Sequence, residues 1–318
     1  MSRFTHVDRL PPVIDIPDGL AAAQARYHGA KGRAFVAALP ALAAGFLDRW
    51  GLRPDGTAMH GVSALVLPVT RPDGTGAVLK LQLLDEESEG EPTALRVWNG
   101  DGAVQLLDHD PATGTLLLER LDAGRPLSHL PDSREAVLVI AHLLARLTSV
   151  PAPVGMRRLD DLARALLDRT PAALTRVADP EHRTLLAACA SALREVAGEP
   201  GDRLLHWDLH YDNVLAAHRD AWLAIDPKPL AGDPAFDLLP ALWNRFDADE
   251  VRWRLDALTD VMGLDRARAR AWSLARVLQN SLWEIEAGRP LDAQQLEIAR
   301  QLTRPPLPAL RKKGTPTP

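Results

Sequence analysis

The spacing of apolar residues along the chain changes from a helical period to a strand period. Between Gly19 and Trp50, Ala and Leu recur three and four residues apart, which predicts helix, with Pro40 interrupting it or starting a second helix. From Leu52 to Gln82 the pattern is that of two strands, 64–69 and 77–81, joined by a turn rich in Pro and Gly at 71–76. A helical segment therefore precedes a small sheet.

The next part of the chain continues this mixture and then becomes helical. A helix follows the acidic run that ends at Glu91, since negative charge favours a helix N-terminus. Segments 103–107 and 115–121 read as further strands, and most of 133–197 and 239–288 has apolar residues at helical spacing. The pattern predicts an α+β protein with its strands concentrated in the first half.

Composition narrows the class of protein. The chain has 318 residues, 46% hydrophobic and 25% charged, which fits a soluble globular protein large enough for two lobes. Its net charge of −5 argues against a nucleic-acid partner. The first residues lack an apolar leader, and the longest uncharged stretch, 34–47, is too short to span a bilayer. We therefore expect a cytoplasmic protein without a membrane partner.

One polar cluster between two apolar runs carries the candidate chemistry. The sequence His206-Trp207-Asp208-Leu209-His210-Tyr211-Asp212-Asn213 lies between short apolar segments, and a second apolar run ends at Asp226. The spacing His-x-Asp followed by Asn, then an apolar strand ending in Asp, is what phosphoryl transfer needs. Asp208 would accept or orient the proton of an attacking hydroxyl, while Asn213 and Asp226 would hold Mg²⁺. His206 and His210 are expected to brace the loop.

With the run IDPKPLAGDPAFDL, Ile225 to Leu238, this cluster resembles the protein-kinase-like small-molecule kinases. Within them it is similar to the aminoglycoside phosphotransferases, in the branch of streptomycin 6-kinase and hydroxyurea phosphotransferase, over about Gly51 to Glu286. The resemblance implies transfer of a phosphoryl group from ATP, with Mg²⁺, to a hydroxyl of a small polar molecule such as streptomycin. Trp207 stands where that family usually has a small residue, often Gly, a substitution that is tolerated if the indole packs outward.

The resemblance also implies a bilobal fold. Residues 51–121 would form a small nucleotide-binding N-lobe with an antiparallel five-stranded sheet plus a helix, and 122–310 a larger, mostly helical C-lobe that carries the catalytic loop and binds the acceptor. Residues 1–50 would be an N-terminal helical extension, and 311–318 a disordered tail.

The same resemblance assigns the nucleotide side of the site. Lys80, a charged residue inside an apolar strand, would neutralise ATP phosphates, and Glu91, rather than Glu89 or Glu87, would fix its position. Ser63 lies in the loop that would cover the nucleotide. Main-chain groups from Glu119 to Leu121 would contact adenine.

The acceptor side is less constrained. Asn280, Trp283 and Glu284 share a helix face by their spacing, and Asp247 lies early in another helix. Carboxylates pair with ammonium or guanidinium groups and an indole face receives cations or sugars, so an aminated polyol would suit such a patch.

Other interpretations remain open. The acceptor could be an amino sugar such as glucosamine or another small metabolite. The chain could also be a nucleotide-binding pseudokinase, or a metal hydrolase that uses His206, Asp208 and His210. No Walker A motif is present in the sequence, which argues against a P-loop kinase. The oligomeric state is not predicted.

Overall fold

A computed structural model of the protein describes residues 14–304. These residues form two compact units. The first unit comprises residues up to 131 together with 143–157 and 202–231, and the second comprises 132–142, 158–201 and the rest of the chain from 232. The catalytic loop predicted around Asp208 therefore belongs to the first unit, with the sheet. The predicted lobe boundary at residues 121 and 122 stays a prediction.

The first unit begins with a long helix, α1 (Asp18–Arg49). Its backbone is interrupted at Gly29, which has φ 55° and ψ −124°, rather than at Pro40 as predicted. The helix continues through Pro40, whose ring fixes φ near the helical value although it removes one backbone donor. The residue with positive φ is a glycine, for which that conformation carries no Cβ clash.

Helix α1 packs on the sheet and shares its core. Leu39 and Phe46 of the helix are buried in one cluster with Leu65 and Leu79 of the strands. This helix is long and apolar enough to cross a membrane, and it is the one such helix within residues 14–304. A single helix of this kind near the N-terminus is weak evidence for a membrane span, because a core helix of a soluble protein passes the same test.

The sheet of the first unit is antiparallel and runs in the order β1-β3-β4-β6-β5, with β2 also pairing with β3. The strands are β1 (Arg53–Pro54), β2 (Met59–His60), β3 (Ala64–Thr70), β4 (Gly76–Gln82), β5 (Leu106–Asp110) and β6 (Thr115–Glu119), and helix α2 (Glu91–Trp98) lies between β4 and β5. The sheet thus has one short strand more than the predicted five. Strand β5 starts at Leu106, not at residue 103, because Ala103 instead forms a parallel bridge with Ala224.

The rest of the first unit is built of short strands. β7 (Asp122–Pro126), β9 (Val214–Ala216) and β10 (Trp222–Ala224) form a three-stranded sheet in the order β10-β9-β7, and β8 (Arg203–Leu205) pairs with β11 (Leu230–Gly232). Strand β7 therefore follows the main-chain segment 119–121 that was predicted to contact adenine. The predicted catalytic loop lies between β8 and β9, and Asp226 follows β10.

The second unit is helical. Its helices are α4 (Leu159–Leu174), α5 (Pro180–Val196), α6 (Leu239–Trp243), α7 (Val251–Met262), α8 (Arg266–Glu286) and α9 (Ala293–Thr303), and α3 (Ser133–Leu147) spans the boundary of the two units. Trp272 of α8 is fully buried and packs edge-on against Phe236, with ring centroids 5.6 Å apart. The mixed fold predicted from the sequence is confirmed.

Candidate active site

Lys80 lies in the interior of the sheet, bound to a carboxylate. Strand β4 places its side chain where only 4% of the residue is exposed. Its Nζ donates to both oxygens of Glu91, at 2.7 Å each. Glu91 begins helix α2, is fully buried, and also accepts a hydrogen bond of 2.8 Å from Gln82 Nε2. Of the three candidate carboxylates, Glu91 is thus the one that pairs with Lys80.

Asp226 receives two ammonium groups on one oxygen. Its Oδ1 lies 2.6 Å from Lys80 Nζ and 3.1 Å from Lys228 Nζ. Burial by itself raises the pKa of the Asp226 carboxyl, but the charges and hydrogen bonds of the two lysines outweigh it and hold that pKa well below its usual range. Asp226 is therefore ionised at neutral pH. Because both lysines bind Oδ1, Oδ2 is the oxygen left for a further cation.

The loop that carries Asp208 is braced by its own polar groups. The buried ring of His206 bonds the Ile225 carbonyl through Nε2 at 3.0 Å, and its Nδ1 accepts from the Asp208 amide at 3.4 Å. Burial lowers the pKa of His206 to about 3, so the ring is neutral. Asn213 donates its side-chain amide to the Asp208 carbonyl at 2.8 Å, and His210 Nδ1 accepts from the Asp212 amide. Both histidines brace the loop, as expected.

Trp207 adopts a left-handed backbone conformation, with φ 68°. That conformation is uncommon for residues with a bulky side chain and favours glycine, which gives a physical reason for a small residue at this position. The indole does not pack outward. Only 4% of Trp207 is exposed, and the Arg157 guanidinium lies 4.5 Å from the ring centroid. Buried contact area and this cation–π contact stabilise the strained backbone.

One cavity of about 1320 Å³ in the first unit brings most of the predicted site residues together. Its lining includes Ser63, Lys80, Leu121, Asp208, Asn213 and Asp226. Glu91 is not part of the lining and acts from behind Lys80. The cavity is therefore lined by the strands of the sheet, by the loop around Asp208 and by Asp226, which follows β10.

Two of the predicted nucleotide contacts are already bonded within the protein. The Ser63 carbonyl accepts from Gln24 Nε2 at 3.1 Å. The Glu119 amide donates to the Gln105 carbonyl at 2.9 Å, and its carboxylate accepts from Arg219 at 2.8 Å. The Glu119 amide is therefore used inside the sheet, and the adenine contacts expected from main-chain groups of Glu119 to Leu121 stay a prediction. Its side chain has a structural contact that sequence reasoning did not anticipate.

The predicted acceptor residues lie in the second unit. Asn280, Trp283 and Glu284 are on α8, and Asp247 precedes α7. Asn280 donates to Gln295, and Glu284 forms an ion pair of 2.6 Å with Arg289. Asp247 is exposed and accepts from the Asp249 amide, while 38% of Trp283 is exposed. Trp283 and Asp247 are thus the more available of the four.

The histidines of the loop do not form a metal centre. Within residues 14–304, no group of three or more His, Cys, Asp or Glu side chains is arranged to hold a metal ion. The amide oxygen of Asn213 and the carboxylate of Asp226 are nevertheless a donor set that fits Mg²⁺, which prefers oxygen ligands and keeps several waters.

Lys228 is the residue of the cavity that sequence reasoning missed. It lines the cavity and contacts Asp226. Burial by itself lowers the pKa of Lys228, but Asp226 and Glu91 outweigh this and hold it above its usual range, so the side chain stays protonated. A signal was present in the sequence, because a lysine between Pro227 and Pro229, next to two apolar segments, is an unusual place for an exposed charge.

Comparison with known proteins identifies the class. A macrolide 2′-phosphotransferase from Brachybacterium faecium superposes with a TM-score of 0.55 at 20% identity, over 86% of this chain and 99% of that one. This likeness shows the protein-kinase-like fold of the small-molecule kinases. The model of a family described as aminoglycoside/hydroxyurea antibiotic resistance kinase matches residues 49–288, and the chain belongs to that family.

Two relatives are similar over almost their full length. A hydroxyurea phosphotransferase of Kitasatospora aureofaciens is 61% identical over 297 residues, which are 92% of this chain and 87% of the relative. A streptomycin 6-kinase of Streptomyces glaucescens is 56% identical over 299 residues, 91% of this chain and 97% of the relative. The chain is therefore a small-molecule kinase, as predicted, and the pseudokinase interpretation is set aside.

Proposed function

We propose that the protein transfers the γ-phosphoryl group of ATP, with Mg²⁺, to a hydroxyl of an aminoglycoside, with streptomycin as the acceptor. The observation that carries this proposal is the single cavity in which Lys80, Asp208, Asn213 and Asp226 meet. The similarity to streptomycin 6-kinase supports the choice of acceptor. A cytoplasmic location is part of the same proposal, since ATP is supplied there.

Asp208 is the catalytic carboxylate in this mechanism. It is half-buried and lines the cavity, and the bonds of its backbone to His206 and Asn213 fix the loop that carries it. Asp208 accepts or orients the proton of the acceptor hydroxyl as that oxygen attacks. In such a reaction the protein mainly positions the reactants and stabilises charge, so a fixed loop matters more than a strong base.

Lys80 binds the ATP phosphates, and Glu91 positions it. Glu91 approaches from the side away from the cavity and holds the ammonium with two short bonds. This contact removes most of the freedom of a long side chain before the nucleotide binds. Ser63 contributes to the loop over the phosphates and Leu121 to the adenine rim, while Glu119 supports that rim through Arg219.

Asn213 and Asp226 would hold Mg²⁺. The bound ion supplies neutralisation of the charge on the β- and γ-phosphate oxygens. Asn213 uses its amide nitrogen to bond the Asp208 carbonyl, so its oxygen is the ligand atom. Asp226 is kept ionised by two lysines and offers Oδ2.

The acceptor chemistry is supported by the charge of the cavity. Asp85, Glu86 and Glu87 line it in addition to Asp208. Streptomycin carries guanidinium groups, which pair with carboxylates in a bidentate manner. Asp247, Asn280, Trp283 and Glu284 are retained as a second proposed set of acceptor contacts.

Hydroxyurea is the second candidate acceptor. The phosphotransferase named for it is 61% identical to this chain, somewhat more than the streptomycin 6-kinase. Hydroxyurea is small and uncharged, so it would make no use of the acidic lining. The two candidates therefore predict different effects when the cavity charge is removed.

Acceptor-dependent release of ADP tests the proposal. Purified protein with ATP and Mg²⁺ is assayed against streptomycin, hydroxyurea, glucosamine and plain sugars, with mass spectrometry of the product. Saturable turnover with streptomycin, lost in Asp208→Asn, is the expected result. Turnover with hydroxyurea or glucosamine alone would refute streptomycin as the acceptor and keep the kinase chemistry.

A further inference from the structure

Lys228 acts in the mechanism so far only through the charge of Asp226, although it lies among the catalytic residues. Its Nζ is 3.1 Å from Asp226 Oδ1, and 14% of its side chain is exposed. Lys80 already binds the same oxygen at 2.6 Å. Placing a second ammonium in a largely buried position costs desolvation, which the attraction of Asp226 and Glu91 outweighs. Lys228 is therefore a protonated donor on the wall of the cavity, placed to bind an anion that enters it.

The backbone fixes where this charge lies. The Lys228 amide donates to the His206 carbonyl at 3.0 Å, which ties residue 228 to the start of the catalytic loop. Prolines on both sides, Pro227 and Pro229, restrict the chain further. The side chain lines the cavity with Asp208 and Asp226, and its charge interacts with both carboxylates.

The other lysine and arginine side chains of the cavity are not tied to the catalytic loop. Among the described residues that line it, the remaining Lys and Arg side chains are Lys80 and Arg120. Lys80 is bound by Glu91, and Arg120 forms an ion pair of 2.5 Å with Asp55. The loop from His206 to Asn213 contains neither Lys nor Arg. Lys228 is thus the lysine or arginine of the cavity that is tied to the loop of Asp208.

We propose that Lys228 is a catalytic residue that binds the transferred phosphoryl group. The inference rests on the phosphoryl-transfer chemistry proposed above. Lys80 would hold phosphate oxygens that stay with ADP, whereas Lys228 would hold oxygens that leave with the γ-phosphorus.

In the transfer step, the bond between the γ-phosphorus and the bridging oxygen of ADP breaks, and a bond to the acceptor oxygen forms. The hydroxyl proton goes to Asp208. Lys228 remains protonated and donates hydrogen bonds to the phosphoryl oxygens, where charge is redistributed in the transition state. A fixed donor aimed at such charge is worth about a hundredfold or more in rate.

Four variants separate this role from a structural one. Lys228→Met removes the charge, Lys228→Arg keeps it, and Lys80→Met tests the ground-state phosphate contact. Lys31→Met is the matched control, since Lys31 is exposed and donates to the Leu84 carbonyl. For each variant the measurements are kcat and KM with streptomycin, the melting temperature, and the affinity for Mg²⁺-ADP with and without aluminium fluoride, which mimics the transferred phosphoryl group.

Lys228→Met should lower kcat about a hundredfold or more and should weaken the ADP–aluminium fluoride complex about thirtyfold, while the affinity for ADP alone changes less than threefold. Lys228→Arg should recover part of both losses. Lys80→Met should weaken the binding of ADP itself, and Lys31→Met should resemble the wild type in every measurement.

The proposal would be overturned if Lys228→Met lost equal affinity for ADP and for ADP–aluminium fluoride, or if its kcat stayed within fivefold of the wild type. It would also be overturned by a wild-type protein that binds ADP no more tightly when aluminium fluoride is present. If the wild type does not phosphorylate streptomycin, the acceptor assignment fails, and the two binding measurements still decide the role of Lys228.

Discussion

Lys80 and Asp226 form an ion pair of 2.6 Å although 146 residues separate them in the sequence. Lys80 belongs to the central sheet and Asp226 follows the hairpin of β9 and β10, so this contact joins the two parts of the first unit around the cavity. With Glu91 behind Lys80 and Lys228 on the same oxygen of Asp226, the four side chains form one charged network. Because each member depends on its neighbours, single substitutions should have effects that do not add.

Replacing Asp226 should uncouple nucleotide binding from Mg²⁺. Asp226→Asn removes a proposed metal ligand and leaves Lys80 and Lys228 without the carboxylate they share. We expect turnover to fall on the order of a thousandfold or more. ATP affinity, measured by calorimetry with and without EDTA, should become nearly independent of Mg²⁺.

The matched control is Asp212→Asn, an exposed carboxylate of the catalytic loop that also lines the cavity. It should retain the Mg²⁺ dependence of the wild type. A variant at Asp226 that still bound ATP more tightly with Mg²⁺ would show that the metal is held by other residues.

Glu91→Gln should lower nucleotide affinity and stability together. The buried Lys80 loses its charged partner and keeps Asp226 alone, and breaking one side of a buried ion pair costs about 3–5 kcal/mol at most. Because glutamine can still accept from Lys80, we expect a smaller loss of stability and a rise in KM for ATP of about tenfold. Urea unfolding and ATP titration measure the two effects.

Glu89→Gln is the control for that substitution, since Glu89 is exposed and two residues away. Glu89→Gln should change neither the KM for ATP nor the free energy of unfolding. An equal rise in KM in both variants would mean that the charge of the acidic run, and not the contact with Lys80, determines the affinity.

The catalytic residues of the site were easier to predict from the sequence than the contacts that hold them in place. Asp208, Asn213 and Asp226 follow a spacing that phosphoryl transfer imposes, and charged residues within apolar strands stand out, as Lys80 does. The buried position of Trp207 could not be predicted, because the conformation φ 68° and the contact with Arg157 depend on residues far apart in the chain. Bonding of the Glu119 amide to Gln105 depends in the same way on the register of the sheet.

The start of β5 and the integration of α1 were missed for a related reason. Residues 103–105 have strand-like composition, but Ala103 pairs with Ala224 on a different sheet. Helix α1, predicted as an N-terminal helical extension, contributes Phe46 and Leu39 to the core that also contains residues of β3 and β4. Local pattern predicts the type of an element better than its partners.

Trp207→Gly should destabilise the protein in spite of the left-handed backbone. Glycine relieves a strain of about 1 kcal/mol, but the variant loses a buried indole and its contact with Arg157, worth about 3–5 kcal/mol for a buried aromatic residue. Urea unfolding should therefore show a net loss of about 2–4 kcal/mol. A stabilised variant would show that the backbone strain at residue 207 exceeds the packing energy of the indole.

His206 should make the stability of the protein depend on pH below neutrality. Burial lowers the pKa of His206 to about 3 in the folded protein, whereas an unfolded histidine titrates near 6.5. As the pH falls below about 6.5, the unfolded chain binds a proton that the folded protein excludes, so this histidine favours folding fully only above that pH. Linkage gives a loss of about 2 kcal/mol between pH 7 and pH 5 from this one group.

In His206→Gln that loss should be absent, because glutamine does not titrate and its amide can still donate to the Ile225 carbonyl. Urea unfolding at several pH values gives the free energy of unfolding of both proteins. The difference between the two proteins isolates His206, because the carboxylates titrate alike in both and their effect cancels.

His218→Gln, at an exposed position, is the control and should show the same dependence of unfolding free energy on pH as the wild type. Parallel stability curves for the wild type and His206→Gln would mean that the ring becomes protonated in the folded protein, and the neutral brace described for the catalytic loop would then be wrong.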